Sequence, residues 1–262
     1  MSRPVITLTT DFGQTDGYVG AMKGAILSIC PEAVLVDISH EIRPQAVEQA
    51  AYVLSTAAAY FPPGTVHQVV VDPGVGSERR PIAVQTARAT YVSPDNGVLC
   101  LALTQDPARQ AVHLTKSSYH LSPASATFHG RDIFAPAAAH LACGTALDDL
   151  GDVLPLSELV ELPIHAPQPQ PGGGWRCAIL HVDRFGNLIT NFRILSHQRG
   201  LKVGVGGRWI EQISRTFADV EPGELLAYAG SSGYLEIAVR EESAADILSL
   251  DAGDPVQIEV AP

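Results

Sequence analysis

The chain has 262 residues, 46% of them hydrophobic and 17% charged, the balance of a globular protein with one large domain or two modest ones, not of a disordered chain. Its formal net charge is −11, and no Lys/Arg cluster exceeds Arg79-Arg80, which argues against nucleic acid and for a neutral or cationic small ligand. No uncharged apolar run approaches the ~18 residues of a membrane span, and the start MSRPVITLTTDF enters a strand at once, without the apolar stretch of a signal peptide. In chain order, PVITLTT predicts a strand and Gly17 to Ile29 an apolar helix stopped by Pro31. AVLVDIS is the next strand, and Val47 to Tyr60 an Ala-rich helix ended by FPPGT. VHQVVV, PIAVQT and TYVSP follow as strands, then a helix through Val98 to Leu103 and a last one near Ile133 to Ala142 with Gly144 as its cap.

Short apolar strands separated by helices predict an α/β domain with a mostly parallel sheet over residues 1–163. At PIHAPQPQPGGG the texture changes, and residues 164–174 read as a Pro/Gly linker. Beyond it, WRCAILHVD, NLITNF, LKVGVGG, ELLAYAG, GYLEIAV and PVQIEVA alternate like strands. Residues 175–262 therefore read as a smaller all-β, barrel-like domain with one short helix at Ser243 to Leu250. The four cysteines, Cys30, Cys100, Cys143 and Cys177, sit far apart in apolar runs and form no CxxC pair. They read as buried free thiols, and the protein as cytoplasmic.

Chemistry-bearing residues gather at the ends of the predicted parallel strands, where ligands of open α/β sheets bind. TTDFGQTDG puts Asp11 and Asp16 just past the first strand. Either carboxylate could accept hydrogen bonds from ribose hydroxyls, and Asp16 could instead cap the helix that follows. In QVVVDPGVGSERRPIAV, Asp72 ends a strand and Arg79 follows across a stiff Pro-Gly turn. FHGRDIF places His129, Arg131 and Asp132 before a helix. Asp72, Arg79 and His129 are three groups able to hold or move protons on one sheet edge. In the second domain, HVDRFGNLITN reads as a hairpin carrying Asp183, Asn187 and Asn191, and YAGSSGYLEIAV as a turn with Ser231 and Ser232 at its tip. There is no GxxxxGK[ST], no HExxH, no GxGxxG of a dinucleotide fold, and no set with metal-ligand spacing.

Taken together, TTDFGQTDGYVGAMKG, DPGVGSERR, PDNGVL, FHGRDIFAPAAAHLA, DRFGNLITN and SSGYLEIAV resemble one family along nearly the whole chain. It is the S-adenosyl-L-methionine (SAM) hydrolases that form adenosine, also described as SAM hydroxide adenosyltransferases, relatives of the bacterial fluorinases and chlorinases. The resemblance implies a homotrimer with sites at subunit interfaces, SAM as substrate rather than cofactor, adenosine and methionine as products, and no metal. It also implies a catalytic set of Asp72, Arg79 and His129. Asp11 would meet the ribose, Asp16, Asp183 and Ser231 the methionine end, and Asn187 with Phe217 the adenine. Halogenating relatives carry arginine where this chain has Ser232 and tyrosine where it has Asp72, and fluorinases carry a long insertion before the segment matching TYVSPDNG that is absent here. All three differences point away from halide chemistry. The expected reaction is in-line attack of an activated water at C5′ of the ribose. Three alternatives stand beside it: a SAM or nucleoside binder without turnover, a SAM-dependent halogenase, and a metal-assisted hydrolase using Asp11, Asp16 and Asp72.

Overall fold

The computed structural model describes residues 3–163, 166–171, 173–195 and 200–260. The chain divides into two compact units, residues 1–162 and 163–262. In the first, β1 (Val5–Thr10), α1 (Tyr18–Ile29), β2 (Val34–Ser39), α2 (Val47–Ala58) and β3 (Thr65–Val70) alternate. After them come β4 (Pro81–Gln85), β5 (Ala89–Pro94), α3 (Cys100–Gln105), β6 (Gln110–His113), α4 (Ala135–Ala142) and β7 (Asp152–Val153).

The strands form one sheet in the order β2-β1-β3-β5-β4-β6-β7. Their apolar character follows from cover on both faces. Met22 and Ile26 of α1 pack with α4 on Ile6, Leu8 and Val70, while Leu54 of α2 and Ala102 of α3 pack on Val69, Val84 and Tyr91. The expectation of a mostly parallel sheet is corrected. Pairings from β2 through β5 are parallel, but β5-β4, β4-β6 and β6-β7 are antiparallel. Only residues 86–88 join β4 to β5, closed by the Thr86 amide donating to the Ala89 carbonyl at 2.9 Å. So short a connection makes a hairpin, whereas a parallel crossover needs a dozen residues or more.

The cysteine expectation is also corrected in part. Cys30 and Cys143 form a disulfide, with Cα atoms 6.1 Å apart, while Cys100 and Cys177 are free. Each bonded cysteine ends a helix, Cys30 after α1 and Cys143 after α4, and those two helices pack side by side. At Gly144, φ is +95° and the amide donates to Leu141, a left-handed stop that glycine accepts without strain.

The second unit holds β8 (Gln168–Pro169), β9 (Trp175–Val182), β10 (Leu188–Arg193), β11 (Leu201–Val205), β12 (Arg208–Ile210) and β13 (Ile213–Ser214), then β14 (Leu225–Ala229), β15 (Tyr234–Val239), α5 (Ala244–Leu248) and β16 (Pro255–Val260). The order β12-β11-β16-β9-β10-β15-β14-β13 brings all these strands but β8 into one curled, nearly barrel-shaped sheet. Alternate residues point inward, and Ile179, Leu188, Val203, Leu235, Ile237 and Val256 fill the interior. Within the segment expected as a linker, Gln168 and Pro169 pair with β9 as β8, and positions 164, 165 and 172 lie outside the described residues. Among the described residues no helix is long and apolar enough to cross a membrane.

Candidate active site

Asp72 lies two residues past β3, at the carboxyl end of a parallel strand. The turn after it is built for close approach. Gly76 has φ +78°, and a Cβ there would sit 2.8 Å from the Ala126 carbonyl oxygen. The Ser77 hydroxyl donates to the Gly74 carbonyl at 2.7 Å and accepts from the Arg79 amide at 3.2 Å, which returns the chain toward Asp72. The PDNG segment braces the turn from behind. Asn96 Nδ2 donates to the Val71 carbonyl at 2.9 Å, while Asp95 accepts from Arg80 Nε and Nη2 at 2.9 and 2.6 Å. Of the two adjacent arginines, Arg80 is thus a structural tie and Arg79 faces Asp72.

The Asp72–Arg79 pair is bidentate. Arg79 Nε donates to Asp72 Oδ1 at 3.0 Å and Nη2 to Oδ2, with side chains only 7% and 5% exposed. Such planar fork-to-fork geometry fixes both groups in orientation as well as distance. Arg79 Nη2 also lies 3.1 Å from His129 Nδ1, and the guanidinium stands over the Phe134 ring at 5.3 Å. His129 directly precedes a π-helical turn, Gly130–Phe134, that runs into α4. Gln68 of β3 donates from Nε2 to the Gly130 carbonyl at 3.1 Å, tying that turn to the sheet. Because a guanidinium only donates, His129 Nδ1 must accept, so the neutral ring carries its proton on Nε2. Burial first, and then the Arg79 charge, push this imidazole below its ordinary value, against a weaker opposite pull from Asp72 and Asp132. Asp132 itself, 1% exposed, pairs with Arg131 and accepts from the Ser125 amide at 2.7 Å, so it shapes the loop.

Asp11 and Asp16 lie past β1 on the edge where β3 also ends, since Thr10 pairs with Val70. Asp11 Oδ2 accepts from the Gln45 amide at 2.8 Å, and Gln45 holds φ +66°, an unfavourable value for a residue with a side chain. Asp16 is exposed and does not cap α1, whose first turn has no side-chain cap. Behind them is an arrangement the sequence reading missed. Thr10 Oγ1 lies 2.8 Å from His40 Nδ1, and the His40 carbonyl accepts from the Gly13 amide at 2.8 Å. His40 Nε2 lies 3.0 Å from Asp37 Oδ1, close enough for an ion pair though not aligned as a hydrogen bond. These contacts pin both sides of the Asp11 turn. The signal available beforehand was a lone histidine directly after the second strand.

In the second unit, Asp183, Asn187 and Phe217 line one cleft of about 820 Å³ with Phe185, Tyr228 and Glu236. Asp183 Oδ1 accepts from the Phe185 and Asn187 amides at 2.8 and 2.9 Å, and Oδ2 from Asn187 Nδ2 at 2.8 Å. Much of its capacity therefore holds the turn, in which Gly186 has φ +80°. Ser231 is exposed at the tip between β14 and β15 and does not line this cleft. Glu236 was also missed. It accepts from the Tyr228 hydroxyl at 2.6 Å, and burial raises its carboxyl, with Tyr228 opposing and Asp183 adding to the rise. Its signal was a single acid among the buried apolar residues of YLEIAV. Among the described residues no group of three or more His, Cys, Asp or Glu side chains could hold a metal ion.

The chain is similar to known proteins along nearly its whole length. The N-terminal domain model of the SAM hydroxide adenosyltransferases matches residues 6–151 and their C-terminal domain model matches residues 177–257. A Thermus thermophilus protein named (R)-S-adenosyl-L-methionine hydrolase is 43% identical over 98% of this chain and 99% of its own length. A fluorinase of Nocardia brasiliensis is more distant, at 30% identity over 98% and 97%. A crystal structure described as an uncharacterized conserved protein from Thermotoga maritima superimposes with a TM-score of 0.88 at 36% identity, covering 97% of this chain and 99% of that one. With both family domains present in order and relatives aligned end to end, this chain belongs to the SAM hydroxide adenosyltransferase family of enzymes.

Proposed function

We propose that this protein hydrolyses S-adenosyl-L-methionine to adenosine and L-methionine by in-line attack of water at C5′ of the ribose. The observation that carries the reading is the direct contact of Asp72, Arg79 and His129 at the carboxyl edge of the N-terminal sheet. A sulfonium is already a good leaving group and needs no acid. The obstacle is the nucleophile, since free water has a pKa near 15.7. Holding one water in line with the C5′–S bond lowers the entropic part of the barrier, and a nearby proton acceptor lowers the rest. Arg79 has no lone pair with which to accept a proton, and the one free ring lone pair of His129 is spent on Arg79 Nη2. Asp72 is therefore the acceptor, with His129 Nε2–H donating to the oxygen that becomes hydroxide. Arg79 is the positioning residue that fixes both. As the C5′–O bond forms, the C5′–S pair leaves with sulfur as neutral methionine, and the water proton passes to Asp72.

Further parts of the reading rest on the family. Asp11 would hold the ribose, Asp16, Asp183 and Ser231 the methionine end, and Asn187 and Phe217 the adenine. The substrate would be the (R) sulfonium named for the Thermus relative, and the active form a cytoplasmic homotrimer with shared sites. No metal or cofactor takes part. Incubation of the purified protein with SAM, with products identified by mass, should yield adenosine and methionine in equal amounts. Methylthioadenosine, adenine or unchanged SAM as the sole outcome would overturn the reading.

A further inference from the structure

Three aromatic rings meet at the same sheet edge, and the scheme above uses none of them. Phe12 follows Asp11, Tyr18 opens α1 two residues past Asp16, and Phe128 precedes His129. The centroids lie 5.9 Å apart for Phe12–Tyr18 and Phe12–Phe128 and 5.4 Å for Tyr18–Phe128, all edge to face. Phe12 and Phe128 are anchored on the hydrophobic core. The Phe12 ring lies against Gly130, where a Cβ would stand 3.4 Å from it, at ordinary contact distance. The Arg131 guanidinium covers Phe128 at 4.9 Å and is itself held by Asp132. Tyr18, by contrast, is 51% exposed. A large aromatic held by two rings yet half open to solvent has a surface to offer.

We propose that Tyr18 and Phe128 form the contact surface for the S-methyl group of the sulfonium and so determine which sulfur configuration is hydrolysed. This rests on the hydrolase reading above. The sulfonium sulfur carries three carbons and one lone pair, and its two configurations differ by exchanging methyl and lone pair once the other two carbons are fixed. In-line attack fixes the C5′–S direction, and the methionine end fixes the third substituent. Sulfur lies between these two anchor points. The aromatic corner runs from Tyr18, two residues past Asp16, assigned to the methionine end, to Phe128, next to His129, assigned to the water, and so flanks that interval. A methyl on a cationic sulfur shares the positive charge and is attracted by a π face, whereas a lone pair turned to the same face is repelled and leaves a gap. Rejection by so small a difference is modest, and about tenfold is a reasonable scale for it.

The test uses the separated sulfur epimers of SAM and kcat/KM for each. The wild type should prefer the (R) epimer by about tenfold or more. Tyr18→Phe, which keeps the ring, should retain that ratio. Tyr18→Leu, which keeps the bulk but not the π face, should reduce it about fivefold, by losing rate on the preferred epimer, and Phe128→Leu should act in the same direction. Equal rates for the two epimers in the wild type, or an equal loss on both in the leucine variants, would overturn the proposal while leaving the hydrolase reading intact. Absence of adenosine from both epimers would overturn the hydrolase reading and this inference with it.

Discussion

Asp72→Asn should lower the rate of adenosine formation by a factor on the order of 10² to 10⁴, the usual worth of a lost acid–base group, while the dissociation constant for SAM changes by less than about threefold. The asparagine is nearly isosteric, but it cannot take the water proton. The substitution also disturbs Arg79. Two oxygens now receive Nε and Nη2, and an asparagine offers one oxygen and an NH₂ that faces the guanidinium's own N–H groups. With both side chains almost fully buried, breaking the pair costs on the order of 3 kcal/mol of stability. Folding must therefore be checked by melting alongside the assays, with calorimetry for binding and single-turnover kinetics for rate. Parallel collapse of binding and rate in a folded variant would mean that Asp72 holds the substrate and does not serve the chemical step.

His129 should give the reaction an acid limb that lies below pH 6.5. The Arg79 Nη2–H bond needs a neutral Nδ1, and burial together with the Arg79 charge lowers the imidazole's pKa. As pH falls, the ring stays neutral past the point where a free histidine would charge, and the rate holds. Further down, Nδ1 takes a proton, turns its own N–H toward the guanidinium, and the contact breaks. Stability linked to the neutral ring follows the same course: it is full above the ordinary histidine value and lost as pH drops through the lowered one. His129→Gln should slow turnover by about 10² and remove this limb. A pH–rate profile from 8 to 5 on both proteins decides it, and a wild-type limb centred at or above 6.5 would contradict the neutral-histidine arrangement.

Why some of this was legible from sequence and some was not follows from the range of the interactions. The apolar strands, the helix ended by Pro31 and the glycine stop at Gly144 are local signals, and each element appears within a few residues of where its pattern lies. The strand ends that carry Asp11 and Asp72 follow from those same patterns, so the edge that bears the site could be read directly. Pairing across distance could not. Sheet direction turned on a three-residue hairpin between β4 and β5, the Cys30–Cys143 bond joins residues 113 apart, and His40 reaches Thr10 from another strand end. Arg79 and Arg80 look alike in sequence, and it is Asp95, fifteen residues on, together with Glu158 farther along the chain, that marks Arg80 as the structural one. Asp183 shows the converse: the sequence offered both a turn and a ligand contact, and three of its hydrogen bonds go to the turn.

The central claim is that a water held by Asp72 and His129 attacks C5′ directly. The most direct measurement is a single turnover in ¹⁸O-labelled water, with enzyme in excess over SAM and chloride present at high concentration. The account predicts adenosine with the label on its 5′-oxygen, and no 5′-chloro-5′-deoxyadenosine, because the Asp72 carboxylate repels an anion from the attacking position. Unlabelled adenosine in the first turnover would mean that a carboxylate oxygen of the protein, not water, attacks C5′, and chlorinated product would mean that the site accepts a halide; either result would contradict the account.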